Sequence, residues 1–436
     1  MKRSSTCAVP STTVASCEMN ERLLLRREWF GGLLIELPGA RMTFLHGDGY
    51  ERKRLELANR PGDGFPARIV DATTRGYPLR RDALSTPGTL YIELTRRCDG
   101  GCTHCYADAG PAPAEGEMSL AEIDRLLREF AAWGGYYVRL TGGEPTLRED
   151  FLAILDVIAE ESLRPSVNTH GRCSEELLRE MLARGVKDIR ISLDGTEEVN
   201  DAIRGPGSYR SVLATLHRLA DYNRTATVPA DPTINVVLMK SNRHCLSAMA
   251  GLAAELGFKL SFGLLRAAGR GDVAEMLSPE EVAEAAYEVQ QLRGALGLAK
   301  GRLRINYDIF CEPASGEAAK PFPFDNSCCP LGTMGLGVSA KGRIMACNYL
   351  GYMHGDRWLG EDVRQADLMD LWTGAKIFAE ARALTRSDCQ DCDHYITRCN
   401  GGCPASACVL TGDLDGHDPY CVKHVPLERF PPLAAP

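Results

Sequence analysis

The chain has no apolar run approaching the roughly 18 residues that a membrane-spanning helix needs. Its opening stretch, MKRSSTCAVPSTTVASCEM, contains no continuous apolar segment, so no secretory signal is expected. Basic charge is not in excess: 50 Lys and Arg against 58 Asp and Glu leave a net charge of −8. That balance gives no support for bulk nucleic-acid or anionic-membrane binding, so neither a nucleic acid nor a membrane is an expected partner. There is no repeat of fixed period and no long low-complexity tract. Apolar residues at 44% and charged residues at 25% exclude a collagen-like, fibrous or wholly disordered chain. What the chain does not lack is cysteine, with 17 in 436 residues. Disulfide frameworks belong mostly to short secreted chains. In a long chain with no export signal, clustered cysteines read as metal ligands or catalysts in a reducing, cytoplasmic setting.

A soft prior of about 150 residues per domain suggests about three units. Residues 1–22 read as a polar, disordered tail. Residues 23–62 read as a small β unit, with LLLRREWF, GLLIELP and RMTFL as strands and YERKRLELAN as a short helix. The Pro, Gly and Arg-rich stretch 63–88 reads as a linker. From 89 to 300 the pattern alternates strand and helix. Strands are expected at 90–95, 136–141, 165–169, 188–193, 233–239 and 259–265. Ser119 and Glu122 form a capping-box pattern, Ser278-Pro279-Glu280-Glu281 starts a second helix, and Gly185 and Gly257 sit where helices should stop. Six βα units imply a parallel sheet, because parallel strands need crossovers. Six is two short of a closed eight-unit barrel. The expected fold class is therefore α/β, a partial (β/α)6 barrel flanked by the N-terminal β unit and a cysteine-rich C-terminal unit at 301–424. A short tail follows at 425–436.

Cys98, Cys102 and Cys105 follow the first barrel strand in RRCDGGCTHCYA, spaced C-x3-C-x2-C. Three thiolates this close can wrap a compact inorganic centre. On a [4Fe–4S] cube they leave one iron open to a small molecule. The alternative is zinc with His104 as fourth ligand, although structural zinc favours two separated ligand pairs. Gly142-Gly143-Glu144-Pro145 follows the second strand in the same way. Chemistry in parallel α/β folds collects at these carboxyl ends. Glycine backbone there can come close to a ligand, and Glu144 can receive an ammonium group.

Together, the three cysteines, the GGEP turn and the six βα units resemble the radical S-adenosylmethionine (radical SAM) superfamily over about residues 89–300. The resemblance implies that the open iron binds the amino and carboxylate groups of S-adenosylmethionine. One electron then cleaves its sulfonium, and the resulting 5′-deoxyadenosyl radical takes hydrogen from an unactivated C–H bond. It implies further cofactor contacts: Tyr106 near adenine, Asn168 and Thr169 near ribose, and Ser192, Asp194 and Arg204 near carboxylate or ribose. Loop capping for Ser192 and Asp194, and an ordinary ion pair for Arg204, are the alternatives. No catalytic acid, base or hydrogen donor is assigned.

Farther on, Cys329 and Gly342 lead to Cys347. Cys389-x2-Cys392-x6-Cys399-x3-Cys403 follows, and Cys421 closes the series. Zinc ribbons use similar CxxC pairs. The full order resembles the SPASM domain, a module of two auxiliary [4Fe–4S] clusters, with one residue more than usual before Cys399. By that resemblance Cys389, Cys392, Cys399 and Cys421 bind an outer cluster, and Cys329, Cys347 and Cys403 an inner one. The fourth inner ligand is Cys311 or Cys328, or else that iron is open. Cys7, Cys17, Cys173, Cys245 and Cys408 read as structural or incidental. Three clusters and S-adenosylmethionine are thus the expected cofactors, with an electron donor such as flavodoxin or ferredoxin.

SPASM enzymes often act on ribosomal peptides, and residues 23–62 resemble the β-wing of several peptide maturases. A leader-recognition element that holds a peptide by strand addition and a plain cap on the barrel are both open readings. The expected function is oxidative modification of a ribosomal precursor peptide, by crosslinking or epimerisation. The alternative is the same chemistry on a tetrapyrrole or other small cofactor precursor, since TGDLDGHDPYC also resembles haem-biosynthesis endings. A non-catalytic iron–sulfur or zinc regulator is a more remote reading, which the intact GGEP and ISLDG argue against.

Overall fold

A computed structural model describes residues 22–37, 41–59, 67–299, 301–306, 330, 332–393, 395, 399 and 401–426. Cys311, Cys328, Cys329, Cys7 and Cys17 lie outside the described residues, as do nearly all of the expected N-terminal tail and residues 427–436.

The N-terminal unit is a four-stranded sheet in the order β3-β2-β1-β4, made of β1 (Arg22–Glu28), β2 (Gly31–Leu37), β3 (Arg41–His46) and β4 (Ala67–Val70), with helix α1 (Gly49–Ala58) packed on it. Strand β4 falls inside the stretch expected as a linker. ARIV is a short β-branched run that pairs in parallel with β1. Pro and Gly around it mask the signal, and only Val70 of the four residues is buried, so the strand exists through its pairing with β1 rather than through an apolar face. Residues Ala83 to Thr86 are likewise buried. The buried Arg26–Glu28 pair (2.9 Å) fixes this segment, since Glu28 accepts from the Ser85 amide at 2.8 Å and Arg26 donates to Gly134 and Thr86 carbonyls.

The barrel follows as β5 (Thr89–Thr95), α2 (Leu120–Ala132), β6 (Tyr137–Gly142), α3 (Phe151–Glu160), β7 (Arg164–Thr169), α4 (Glu175–Ala183), β8 (Asp188–Ser192), α5 (Glu197–Arg204), α6 (Ser208–Thr225), β9 (Thr233–Leu238), α7 (Leu246–Leu256), β10 (Lys259–Leu264) and α8 (Pro279–Leu296). All six expected strands form, in parallel and in chain order. Both capping boxes close: Glu122 accepts from the Ser119 amide at 2.7 Å and Glu281 from the Ser278 amide at 2.7 Å. Alternation along each strand decides the two faces. Leu90, Ile92 and Leu94, Val138 and Leu140, and Ile189 and Ile191 are buried in the apolar core. The intervening Tyr91, Arg139 and Arg190 face the barrel interior.

Two further strands extend the parallel set at its edges, β11 (Leu303–Ile305) beside β10 and β12 (Gly335–Val338) beside β5. Neither is legible as a strand. The glycines of GLGV argue against one, yet a Cβ at Gly335 would meet the Thr89 carbonyl oxygen at 2.2 Å, so close strand approach demands glycine there. Strands β13 (Arg343–Met345) and β14 (Leu359–Asp362) complete a ten-stranded open sheet. Helices α9 (Leu368–Gly374), α10 (Lys376–Arg382) and α11 (Pro404–Thr411) follow. Leu336, Val338, Ile344, Trp372 and Phe378 share one continuous core with the barrel. The Trp372 indole donates to the Leu84 carbonyl at 3.0 Å.

Candidate active site

The first cysteine loop leaves β5 and is clamped on every side by backbone. The Cys98 amide donates to Gly110 O at 2.6 Å and the Thr103 amide to Ile203 O at 3.0 Å. Arg270 adds an amide bond to Cys105 O (2.9 Å) and a guanidinium bond to Cys102 O (3.0 Å). The GGEP turn locks onto the same loop, with Gly143 N to Thr95 O at 2.7 Å and Glu144 N to Arg97 O at 2.8 Å. A Cβ on Gly142 would stand 2.3 Å from Thr95 O, and one on Gly143 2.3 Å from Arg97 O. Both positions therefore require glycine, Gly142 additionally through its φ of +129°.

Above the strand ends lies a cavity of about 450 Å³. Cys98, Cys102 and Cys105 line it, with Tyr106, Gly142, Gly143, Asn168, Thr169, Ser192 and Arg204. Three residues singled out in the sequence stand behind this wall. Pro145 is buried and opens a short 3-10 turn. Asp194 is fully buried and bonds Arg204 Nε at 2.6 Å, His104 Nε2 at 2.8 Å and the Val237 amide at 2.7 Å. Burial alone would raise its pKa, but the Arg204 charge and the His104 contact outweigh that and hold it well below the usual carboxylate range. Asp194 is thus an anchor for two side chains that do reach the cavity. His104, tied to Asp194, is not positioned as a fourth ligand to the cysteines.

Glu144 is the residue expected to receive an ammonium group. Its carboxylate is fully buried and does not line the cavity. Oε1 accepts from Thr146 Oγ1 at 2.6 Å and Thr169 Oγ1 at 2.9 Å, while Oε2 accepts from the His170 amide at 2.7 Å. In this structure the side chain ties the β6 turn to the end of β7. The sequence pattern showed the turn but not which way its one charged side chain folds.

The cysteines fit a cluster better than a single ion. Among the described residues no three thiol, imidazole or carboxylate groups converge on one metal position. Three thiolates that each serve a different iron stand farther apart than three sharing one ion. Cys98, Cys102 and Cys105 all line the one cavity, where their sulfurs could be shared by a single inorganic centre. Burial pushes the Cys98 thiol up to about 11, so a bound cationic centre is what would hold it as thiolate.

In the C-terminal unit, Cys389, Cys392, Cys399 and Cys421 line a second hollow, with Gly401, Gly402 and Asp418. These are the four cysteines the SPASM resemblance groups together. Cys347 and Cys403 meet elsewhere, both beside Arg266 at the end of β10. Burial opposes ionisation of Cys403, but the Arg266 guanidinium bonded to its sulfur wins and lowers its pKa. Arg266 and Tyr349 also line the cavity of Cys98, so the two cysteine groups share a wall. Tyr106 packs against Tyr349 and Tyr352, with ring centroids 4.8 and 5.6 Å apart. Cys408 is fully buried in an apolar cluster against which Cys347 and Cys403 also pack. Cys173 and Cys245 are buried in the barrel. Sequence reading missed Arg139, Arg190, Arg266 and Tyr349. For the first two the signal was present, as arginines at inward positions of period-2 strands.

A family model described as the radical SAM superfamily matches residues 92–248. Mycofactocin maturase MftC of Mycolicibacterium smegmatis is 31% identical over 360 residues, covering 82% of this chain and 86% of that protein. The AdoMet-dependent heme synthase of Methanosarcina barkeri is 28% identical over 355 residues, covering 78% and 97%. Among solved structures, Streptococcus suis SuiB bound to its precursor peptide SuiA superposes with a TM-score of 0.67 at 17% identity, over 91% of this chain and 97% of that one.

Proposed function

The chain belongs to the radical SAM superfamily, and from that premise we propose that it oxidatively modifies a ribosomally made precursor peptide, by crosslinking or epimerisation. Its membership implies a [4Fe–4S] cluster and S-adenosylmethionine; Cys98, Cys102 and Cys105 are the residues we assign to the cluster. Bound there, these groups supply one electron and a 5′-deoxyadenosyl radical able to take hydrogen from an unactivated C–H bond.

The remaining assignments concern what the side chains do. Gly142 and Gly143 present backbone to the methionine end of the cofactor. Asn168, Thr169 and Ser192 offer amide and hydroxyl groups to its ribose. Arg204, held by Asp194, would meet its carboxylate or ribose, and Tyr106 would lie near its adenine. Glu144 and Pro145 fix the turn that carries the glycines. Auxiliary clusters on Cys389, Cys392, Cys399 and Cys421, and on Cys347, Cys403 and Cys329, would accept an electron from the substrate. The observation that carries this reading is the shared wall between the Cys98 cavity and Cys347 and Cys403, formed by Arg266 and Tyr349. Flavodoxin or ferredoxin fits as electron donor. Cysteines kept as thiols fit the cytoplasm.

Similarity to a maturase and to a structure holding a precursor peptide supports the peptide substrate. Similarity to a heme synthase over 97% of its length keeps a tetrapyrrole substrate as the second reading. Mass spectrometry of a candidate precursor peptide co-expressed anaerobically, with and without this protein, separates the two. A peptide that changes mass or fragmentation only in the presence of this protein is expected. An unchanged peptide beside a modified tetrapyrrole would favour the second.

A further inference from the structure

The cavity is cationic in a chain whose net charge is −8. Arg139, Arg190, Arg204 and Arg266 line it, and among the described residues no Asp or Glu does. Two of these charges are matched where they stand, Arg204 by Asp194 at 2.6 Å and Arg266 by the sulfur of Cys403. The other two are matched only in part. Arg139 and Arg190 share a single carboxylate, Asp188, at 3.9 and 3.7 Å, beyond hydrogen-bond length. Asp188 is already bonded to the Tyr137 hydroxyl at 2.9 Å. Arg139 is held between two rings, 5.0 Å over Tyr91 and 5.3 Å over Tyr137; its Nη1 donates to the Tyr91 hydroxyl at 3.2 Å and its Nη2 to the Tyr137 hydroxyl. Both side chains are largely withdrawn from water, at 11% and 20% exposed.

Their depth separates them from the strand ends. Arg139 precedes Gly142 by three residues and Arg190 precedes Ser192 by two. At ~3.3 Å per residue, that is about 7 to 10 Å below the turns that line the cavity mouth. Two partly buried cations thus share one carboxylate, and the Nε of each is buried without a hydrogen-bond partner; the positive charge left over is costly unless an anion completes it. Guanidinium forks match the planar carboxylate in particular.

We propose that Arg139 and Arg190 form an anion-binding floor that takes a carboxylate of the substrate. The inference rests on the reading above that this cavity receives an organic substrate, and it adds the group by which that substrate is held. Such a carboxylate comes either from a peptide terminus or from an alkanoic side arm.

The test uses anaerobically reconstituted protein saturated with S-adenosylmethionine, so that the cofactor's own carboxylate is already placed. N-acetylphenylalanine and 3-phenylpropionate are each compared with their primary amide by equilibrium dialysis. Each acid is expected to bind about tenfold or more tighter than its amide, the scale of a charge-assisted hydrogen bond. The acid with the greater preference identifies the source, a peptide terminus or a side arm. Arg139→Gln and Arg190→Gln, made separately, should each erase most of the preference while leaving amide and cofactor binding within about twofold. A collapsed site would weaken every ligand instead. Equal binding of acid and amide, no binding of either acid, or a preference that survives both substitutions overturns the floor. The peptide reading fails separately: an acid preference without peptide modification sinks the peptide but not the floor, and peptide modification without an acid preference does the reverse.

Discussion

Glu93 is the residue whose ionisation bears most directly on stability. It is fully buried on β5, bonded to the Tyr352 hydroxyl, and Arg96 lies over the Tyr352 ring at 4.6 Å. Burial dominates over these lowering contacts and pushes its pKa up to about 7. The sign follows from linkage. A carboxyl raised in the folded state favours folding below its unfolded pKa, and that contribution fades as pH rises through about 7. The slope is at most about 1.4 kcal/mol per pH unit. Denaturant unfolding at pH 5 and pH 8 should show Glu93→Gln losing less stability than the parent over that interval. An identical pH response would place the titrating group elsewhere.

Glu144 makes a second case at this scale. Glu144→Ala leaves the Thr146 and Thr169 hydroxyls and the His170 amide without their acceptor. Buried orphans of this kind cost about 1 to 3 kcal/mol. Because Thr169 and His170 line the cavity, cofactor affinity should fall with stability, while Glu144→Gln retains part of both. Unaltered stability with lost affinity would restore a direct ligand role for the carboxylate.

Among the elements, the GGEP turn and the cysteine loop behave as one piece. Gly143→Ala drives a methyl into Arg97 O and should displace the loop that carries Cys98. Of about 12 iron atoms expected from three four-iron clusters, about four should be lost. Gly110→Ala is the matched control, because its Cβ meets nothing within 4 Å. Iron analysis decides: full loading in Gly143→Ala would show that the turn does not support the loop.

The same elements show what a sequence discloses. The six barrel strands were legible because each carries a short apolar run and helical patterns fall between them. The cysteine series stood out because its spacing is local, and the structure places Cys389, Cys392, Cys399 and Cys421 around one hollow. Strand β4 was hidden, since its reason for existing is a partner strand more than 40 residues earlier in the chain. Strand β12 was hidden by its glycines, whose cause is the close approach of β5. The direction of Glu144 and the grouping of the interior arginines depend on how strands register against one another, and no local pattern encodes that.

For the whole molecule, the C-terminal unit is part of the barrel's core and no appendage. Trp372 and Phe378 are fully buried in it, and the Tyr420 hydroxyl bonds the Leu265 carbonyl. Each such apolar side chain contributes about 1.5 to 3 kcal/mol. A chain ending at residue 300 should therefore lose cooperative unfolding by circular dichroism and become sensitive to protease. A stable, cooperative truncated barrel would contradict the shared core.

Reductive cleavage of S-adenosylmethionine is the reaction assigned to the Cys98, Cys102 and Cys105 site. The direct measurement is 5′-deoxyadenosine formed by reconstituted protein given dithionite and S-adenosylmethionine, followed by liquid chromatography with mass spectrometry. The parent chain should form it. The Cys98→Ala, Cys102→Ala, Cys105→Ala variant, still folded and still holding the iron of its C-terminal cysteines, should form none. 5′-Deoxyadenosine produced undiminished by that variant would contradict the assignment of the reaction to these three cysteines.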